Sequence, residues 1–174
     1  MEEDVKNKIT ETVRDLLKKV GFEGEVKLTE GSTSEMTESS GDGEKGSFTI
    51  VSVESNSDLS MLIGKNGQNL SAFDHVARLL VNRQLGTESP GKPPVNFIVD
   101  INDYRKSRTN YLVDVARNVA KRVIQTQRAE ALLPMNAYER RLVHTELASF
   151  KELQTESIGQ EPRRRIVVKL TLAI

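Results

Sequence analysis

The chain has 174 residues, with 25 Lys/Arg against 25 Asp/Glu, two His, no Cys and no Trp. The missing Cys excludes disulfides, thiolate metal sites and cysteine nucleophiles, and fits a reducing compartment. No apolar run approaches the ~20 residues that span a bilayer, and the acidic start Met1-Glu2-Glu3-Asp4 is unlike a signal peptide, so a cytoplasmic location is the default expectation.

The balanced charge is unevenly spread. Residues 1–61 hold 7 Lys/Arg against 14 Asp/Glu, and residues 62–174 hold 18 against 11. A basic two-thirds points to a polyanionic partner, although mutual neutralisation of the two regions would explain it as well.

In chain order, Val5, Ile9, Val13, Leu16, Leu17 and Val20 recur at helical spacing over residues 4–20, with Gly21 placed to cap the end. Residues 25–30 suit a short strand. From Gly31 to Gly46 the chain is almost entirely Gly, Ser, Thr and acid, with Met36 the lone apolar residue, which predicts a solvated, mobile connection. The β-branched and aromatic run 47–54 suits a buried strand. Asp58 or Ser57 can then cap a single helical turn through Leu59, Met61, Leu62 and Ile63.

Gly64-Lys65-Asn66-Gly67 interrupts the helical pattern, which resumes with Gln68 and with Leu70, Phe73, Val76, Ala77 and Leu80 on one face. Glycine allows sharp backbone angles and close approach of another molecule. Amides at a helix start favour an anion, and Lys65 adds a mobile positive charge. The combination suits a sugar-phosphate chain held by its backbone. On these four residues alone, a plain helix–helix connection accounts for the glycines equally well.

Residues 86–94 hold three of the five prolines and read as a surface loop. Val95, Phe97, Val99 and Ile101 alternate with Asn96, Ile98 and Asp100, as on a strand with one face in the core. A long helix is predicted over 103–125, with Leu112, Val115, Ala116, Val119, Val123 and Ile124 as its stripe. Arg105, Lys106, Arg108, Arg117, Lys121 and Arg122 would form its solvated face. Residues 130–133 suit a short strand. Asn136 and Glu139 have capping-box spacing for a further helix with Val143, Leu147 and Phe150 on its core side. Strands are predicted over 152–157 and from Ile166 through Val168, Leu170, Leu172 and Ile174, joined by a turn that ends in Arg163-Arg164-Arg165.

Arg140 and His144 are four apart on that helix and share a face. Arg can bond phosphate bidentately, and His can stack on a base or donate to phosphate. Arg141 and the 163–165 triplet would complete a cationic patch. The spacing is also ordinary helix-surface geometry, and His75 reads as a structural or surface residue.

Both stretches, in this order, resemble a known pairing. The helix-strand-strand-helix-GxxG-helix-strand series resembles a type II KH domain, with Gly64-Lys65-Asn66-Gly67 as its loop. The second half resembles the Arg-x-x-x-His (RxxxH) domain, here Arg140 and His144. The runs Asp103-Tyr104-Arg105, residues 134–141, Thr155-Glu156-Ser157 and residues 159–164 add to the match. The tandem is similar to the Jag family, the SpoIIIJ-associated RNA-binding proteins also called KhpB, over about residues 5 to 170. The fold class it implies is α+β: a KH domain at 1–102 (αββααβ) and a small α+β Arg-x-x-x-His domain with a three-stranded sheet at 103–174, with 103–125 as linking helix.

What the resemblance implies is non-catalytic binding of single-stranded RNA, with single-stranded DNA as the variant. A KH loop clamps backbone while about four nucleotides lie in an apolar groove. Gly64 and Gly67 would permit the approach, Lys65, Asn66 and Gln68 would contact the strand, and Ile63 and Leu70 would floor the groove. Arg140 and His144 would bind in the second domain, supported by Arg141, Arg163, Arg164 and Arg165. The family resemblance further suggests a post-transcriptional regulator or RNA chaperone linked to cell elongation and division, with a small KH-domain (KhpA-like) partner protein. Many members carry an N-terminal Jag domain, for which this chain has no room, so the resemblance does not extend to a membrane-insertase link.

Two other function classes compete. An enzyme is poorly supported, because the glycine turn is not a phosphate-binding GxxxxGK[ST] loop and two distant His without Cys make a poor metal site. No catalytic residue, cofactor or metal is expected. A protein-interaction adaptor, using a sheet edge or the KH surface, is the alternative. Lys65 favours RNA over it, since an acidic loop tip would repel phosphate.

Overall fold

The computed structural model describes residues 2–32, 47–87 and 93–171. Packing divides the chain into two units, Met1–Arg105 and Lys106–Ile174, each a mixture of helices with one three-stranded sheet.

The first unit opens with α1 (Glu3–Val20), whose Ile9, Val13 and Leu17 are buried at the predicted spacing. Gly21 ends it in the left-handed conformation (φ 87°), and the Gly21 amide donates to the Lys18 carbonyl. Strands β1 (Glu25–Ser32) and β2 (Ser47–Glu54) pair antiparallel along their whole length. Gly31 and Ser32, placed by sequence in the solvated connection, are the last residues of β1 and pair with Phe48 and Ser47. Residues 33–46, Met36 among them, lie outside the described residues. After the four-residue helix α2 (Ser60–Ile63) and the glycine turn come α3 (Gln68–Leu85) and β3 (Phe97–Ile101), which pairs parallel with β2. The predicted element order is therefore present. Asp58 caps the start of α2 by accepting the Ser60 amide at 2.8 Å, and hydrogen bonds from Ser60 hold its carboxyl below the usual range.

Two expectations need correction. On α3 the buried stripe is Leu70, Phe73, Asp74, Ala77 and Val81, while Val76 and Leu80 are exposed. Asp74 holds a core-facing position because its carboxylate accepts the Val99 amide at 2.8 Å, with Arg78 at 2.9 Å as its ion-pair partner. On β3 both faces are buried, not one. The start of the next helix folds back onto the strand: the Arg105 amide donates to Asp100 and Arg105 Nε donates to the Val99 carbonyl, both at 3.2 Å. Just upstream, the Asn82 side chain bonds both the amide and the carbonyl of Val95. Side chains thus occupy main-chain groups at the outer edge of this sheet, the kind of edge that otherwise invites another strand.

Burial pushes the Asp100 carboxyl above its ordinary value of 3.8, and the charge of Asp103 pushes the same way. The folded chain therefore holds this proton to higher pH than the unfolded chain does, and stability is lost as pH rises from 3.8 through the raised value. Asp100→Asn, which still accepts the Arg105 amide, should gain stability relative to wild type between about pH 4 and about pH 7 in denaturant titrations. An equal difference at both pH values would contradict this.

In the second unit, α4 (Tyr104–Thr126) buries Leu112, Ala116, Val119, Ala120 and Val123. Its arginines are not simply a solvated face. Arg108 pairs with Glu139 at 2.7 Å, Arg117 with Glu146 at 2.7 Å and Arg122 with Glu130 at 2.6 Å. These partners are distant in sequence, so helical periodicity could not reveal them. Strands β4 (Glu130–Ala131), β5 (Leu153–Ile158) and β6 (Arg165–Leu170) form an antiparallel sheet with β6 in the middle. The predicted strand 130–133 is thus shorter, and Leu133 is exposed. Ile166 and Val168 are buried in the core as predicted; Leu172 and Ile174 lie outside the described residues.

Helix α5 (Ala137–Leu147) starts with a complete capping box: Asn136 Oδ1 accepts the Glu139 amide at 2.8 Å, and Glu139 Oε2 accepts the Asn136 amide at 3.0 Å. Its core side is Val143 and Leu147, with Phe150 partly buried beside them. Asn136→Ala should cost about 1 kcal/mol of unfolding free energy. Glu139→Ala should cost more, because it also strips Arg108 of its buried partner. Chemical denaturation of the two variants orders them.

Candidate nucleic-acid interface

In the first unit the glycine turn is built by necessity as much as for access. Gly64 has φ 71° and ψ 179°, a region essentially restricted to glycine. A Cβ there would lie 2.5 Å from Cγ of Asn69, whose Nδ2 donates to the Met61 carbonyl at 2.7 Å. Gly67 has φ 74°, and a Cβ there would meet the Tyr104 ring at 2.9 Å. Between them, Lys65 is exposed, and Asn66 is half-buried and left-handed (φ 53°). The tip thus projects a cation from a firmly held turn.

The loop differs from expectation in two respects. The amides of Gly67 and Gln68 donate to Gly64 and Lys65 carbonyls inside the 3₁₀ turn Lys65–Gly67, so these two are committed to the turn and not offered to an anion. Leu70 is 1% exposed and belongs to the core, because it begins the buried stripe of α3. It supports the loop from beneath and cannot floor a groove. Ile63 is half-buried against the same core, while Gln68 is exposed. The apolar surface beside the loop that sequence reasoning missed is Met61, 80% exposed; its place at the start of the short helix before the turn was the available signal.

In the second unit, α5 and strands β5 and β6 enclose an open cleft of about 370 Å³. Arg140, Arg141, His144 and Arg164 all line it, together with Thr155, Ser157, Glu156 and Ile166. The predicted pair does share one surface, but the two residues differ in kind. The Arg140 side chain is 10% exposed, and its Nη1 donates to the Met135 carbonyl at 2.8 Å and pairs with Glu161 at 2.7 Å. His144 is exposed, with Nδ1 hydrogen-bonded to the Thr155 hydroxyl. That leaves Nε2 to face a ligand. Arg164 is fixed by Nε donating to the Ser157 hydroxyl at 2.9 Å. A hydroxyl-ordered imidazole beside one anchored and two exposed guanidinium groups can bind an anion with directional bonds.

Arg163 and Arg165 are exposed but do not line the cleft. Arg165 starts β6 one residue before the buried Ile166, and strand alternation turns it to the opposite face. Thr155, Ser157 and Glu161 are the residues sequence reasoning did not assign a role. Their only signal was position near the arginine triplet, since the bonds they make span 7 to 21 residues. His75 is exposed on α3. Among the described residues, no group of three or more His, Asp or Glu could hold a metal ion, and no helix is long and apolar enough to cross a membrane.

This arrangement, two helices and a three-stranded sheet carrying Arg140 and His144 on one cleft, coincides with a recognised nucleic-acid-binding module: residues 110–170 match the R₃H domain, named for an Arg and a His three residues apart from one another. Over longer stretches the chain is similar to bacterial proteins named RNA-binding protein KhpB. It is 35% identical over 113 residues to that of Clostridium symbiosum (65% of this chain, 48% of that protein). It is 36% identical over 110 residues to that of Lactiplantibacillus plantarum (63% and 32%), and 32% identical over 110 residues to that of Bacillus subtilis (62% and 50%). The matched stretch covers half or less of each of these relatives.

Proposed function

We propose that this chain is a KhpB-type (Jag family) protein that binds single-stranded RNA without catalysis, at a KH-type glycine loop and at the Arg140/His144 cleft. The observation that carries the reading is the cleft itself, which gathers Arg140, Arg141, His144 and Arg164 around ordered hydroxyls within the stretch that matches the Arg-x-x-x-His module. The first unit supports it: the order αββααβ, a parallel β2–β3 pair and the Gly64–Gly67 turn between two helices are the features of a type II KH domain.

Each site has a distinct task in this reading. Lys65 meets backbone phosphate while Ile63 and Met61 offer apolar surface to bases. In the cleft, Arg164, Arg141 and the open edge of the Arg140 fork take phosphate, and His144 Nε2 adds a directed bond. Two weak sites on one chain gain affinity through effective concentration when one strand reaches both. A regulatory or RNA-chaperone role in cell elongation and division, and a small KH-domain partner, belong to the same proposal. The adaptor alternative loses one of its surfaces, because side chains already occupy main-chain groups at the outer edge of β3.

Anisotropy titration of labelled single-stranded RNA at two salt concentrations tests the reading. Binding should weaken by ~0.7 log units per log unit of salt for each neutralised phosphate. A folded protein that fails to bind at low salt would overturn it, and a salt-insensitive complex would favour an apolar interface.

A further inference from the structure

Building on the reading of the Gly64–Gly67 turn as an RNA clamp, we propose that Tyr104 is a positioning residue for that clamp. Its ring fills, from within the unit, the space that Gly67 leaves empty. A Cβ on Gly67 would lie 2.9 Å from Cε1 and 3.3 Å from the hydroxyl oxygen of Tyr104. The same ring packs against the core of the first unit. It therefore forms a wall between core and loop, and the second glycine is needed to admit that wall as well as any ligand.

The chain goes to some length to deliver this ring. Two consecutive non-glycine residues, Asn102 (φ 46°) and Asp103 (φ 53°), adopt the left-handed conformation just before it. The turn is held by the Asn102 side chain, which bonds the amide of Ser55 at 3.1 Å and its carbonyl at 3.0 Å, and by the Asn102 amide on the Val53 carbonyl. On the other side, Arg105 is tied through its amide to the buried Asp100 and through Nε to the Val99 carbonyl. Unusual backbone held in place by surrounding bonds is a pointer to function. Here it fixes both neighbours of Tyr104. Asn69 plays the matching part under Gly64, so the tip bearing Lys65 and Asn66 is propped at both ends. A propped loop surrenders less conformational freedom on binding, and affinity rises accordingly.

The chain has three tyrosines and no Trp, which permits a direct test. In Tyr111→Phe/Tyr138→Phe protein labelled with 3-fluorotyrosine, a single ¹⁹F line reports Tyr104. Short single-stranded RNA should shift that line with the same midpoint as anisotropy, and Lys65→Asp/Asn66→Asp should abolish the shift. Alongside, Tyr104→Ala should weaken binding about tenfold and Tyr104→Phe should restore it to within about twofold. An unmoved line at saturating RNA overturns the proposal, as does a folded Tyr104→Ala protein that binds like wild type. Should Tyr104→Ala fail to fold, the fluorine line decides alone. If Lys65→Asp/Asn66→Asp leaves RNA binding unchanged, the clamp reading has failed and this inference falls with it. A loss there with an unmoved line rejects the role of Tyr104 only.

Discussion

Lys65→Asp/Asn66→Asp should lower affinity for single-stranded RNA about tenfold or more at ~0.1 M salt, with little change in thermal stability. The substitution removes one cation and places two anions where phosphate would pass, so repulsion replaces attraction. The fold should tolerate it. Lys65 is exposed, and Asn66 sits at φ 53°, a conformation that Asp adopts nearly as readily as Asn. Both glycines remain, so the turn keeps its backbone, its packing on Asn69 and its wall of Tyr104. Anisotropy and a thermal melt on the same preparation separate lost binding from lost structure. An unchanged affinity would reduce the glycine turn to the plain helix connection that its sequence also permits.

The second large effect separates the residues of the cleft. Arg140→Ala should lose both stability and binding, whereas Arg164→Ala and His144→Ala should lose binding alone. Arg140 is nearly buried, and its removal leaves the Met135 carbonyl without its donor and Glu161 without its partner. A cost of about 1–3 kcal/mol is expected for such a loss. Arg164 and His144 are exposed and each makes one side-chain bond, to Ser157 and Thr155. Their truncation should stay within about 0.5 kcal/mol in stability while weakening RNA binding severalfold. Denaturant unfolding beside RNA titration checks the split. Equal stability losses in all three would mean the cleft is a structural network first.

Much of this fold is legible in the sequence because its elements declare themselves locally. Ile9, Val13 and Leu17 repeat at helical spacing, Gly21 stands at a helix end, and Asn136 with Glu139 spells out a capping box; each works through bonds within a few residues. The failures have one cause in common. Asp74 faces the core because Val99, 25 residues away, offers an amide, and Asp100 is buried because the chain doubles back after Asn102. Arg108 finds Glu139 across 31 residues. A charged residue reads as solvent-facing until its distant partner is known. The site follows the same pattern. Arg140 and His144 fall on one surface because helix geometry demands it, yet the burial of Arg140 depends on Glu161 from a later turn. Leu70 reads as groove floor from its place beside the glycines, whereas the direction of α3 sends it inward.

The central claim, that one chain offers RNA two working sites, is tested most directly by a cycle of four proteins on one labelled single strand. These are wild type, Lys65→Asp/Asn66→Asp, His144→Ala/Arg164→Ala and the combination of all four substitutions. The account predicts that each pair weakens binding, that the combination weakens it further, and that the salt slope shrinks at each step. A combined variant that binds RNA as tightly as wild type would contradict the account outright.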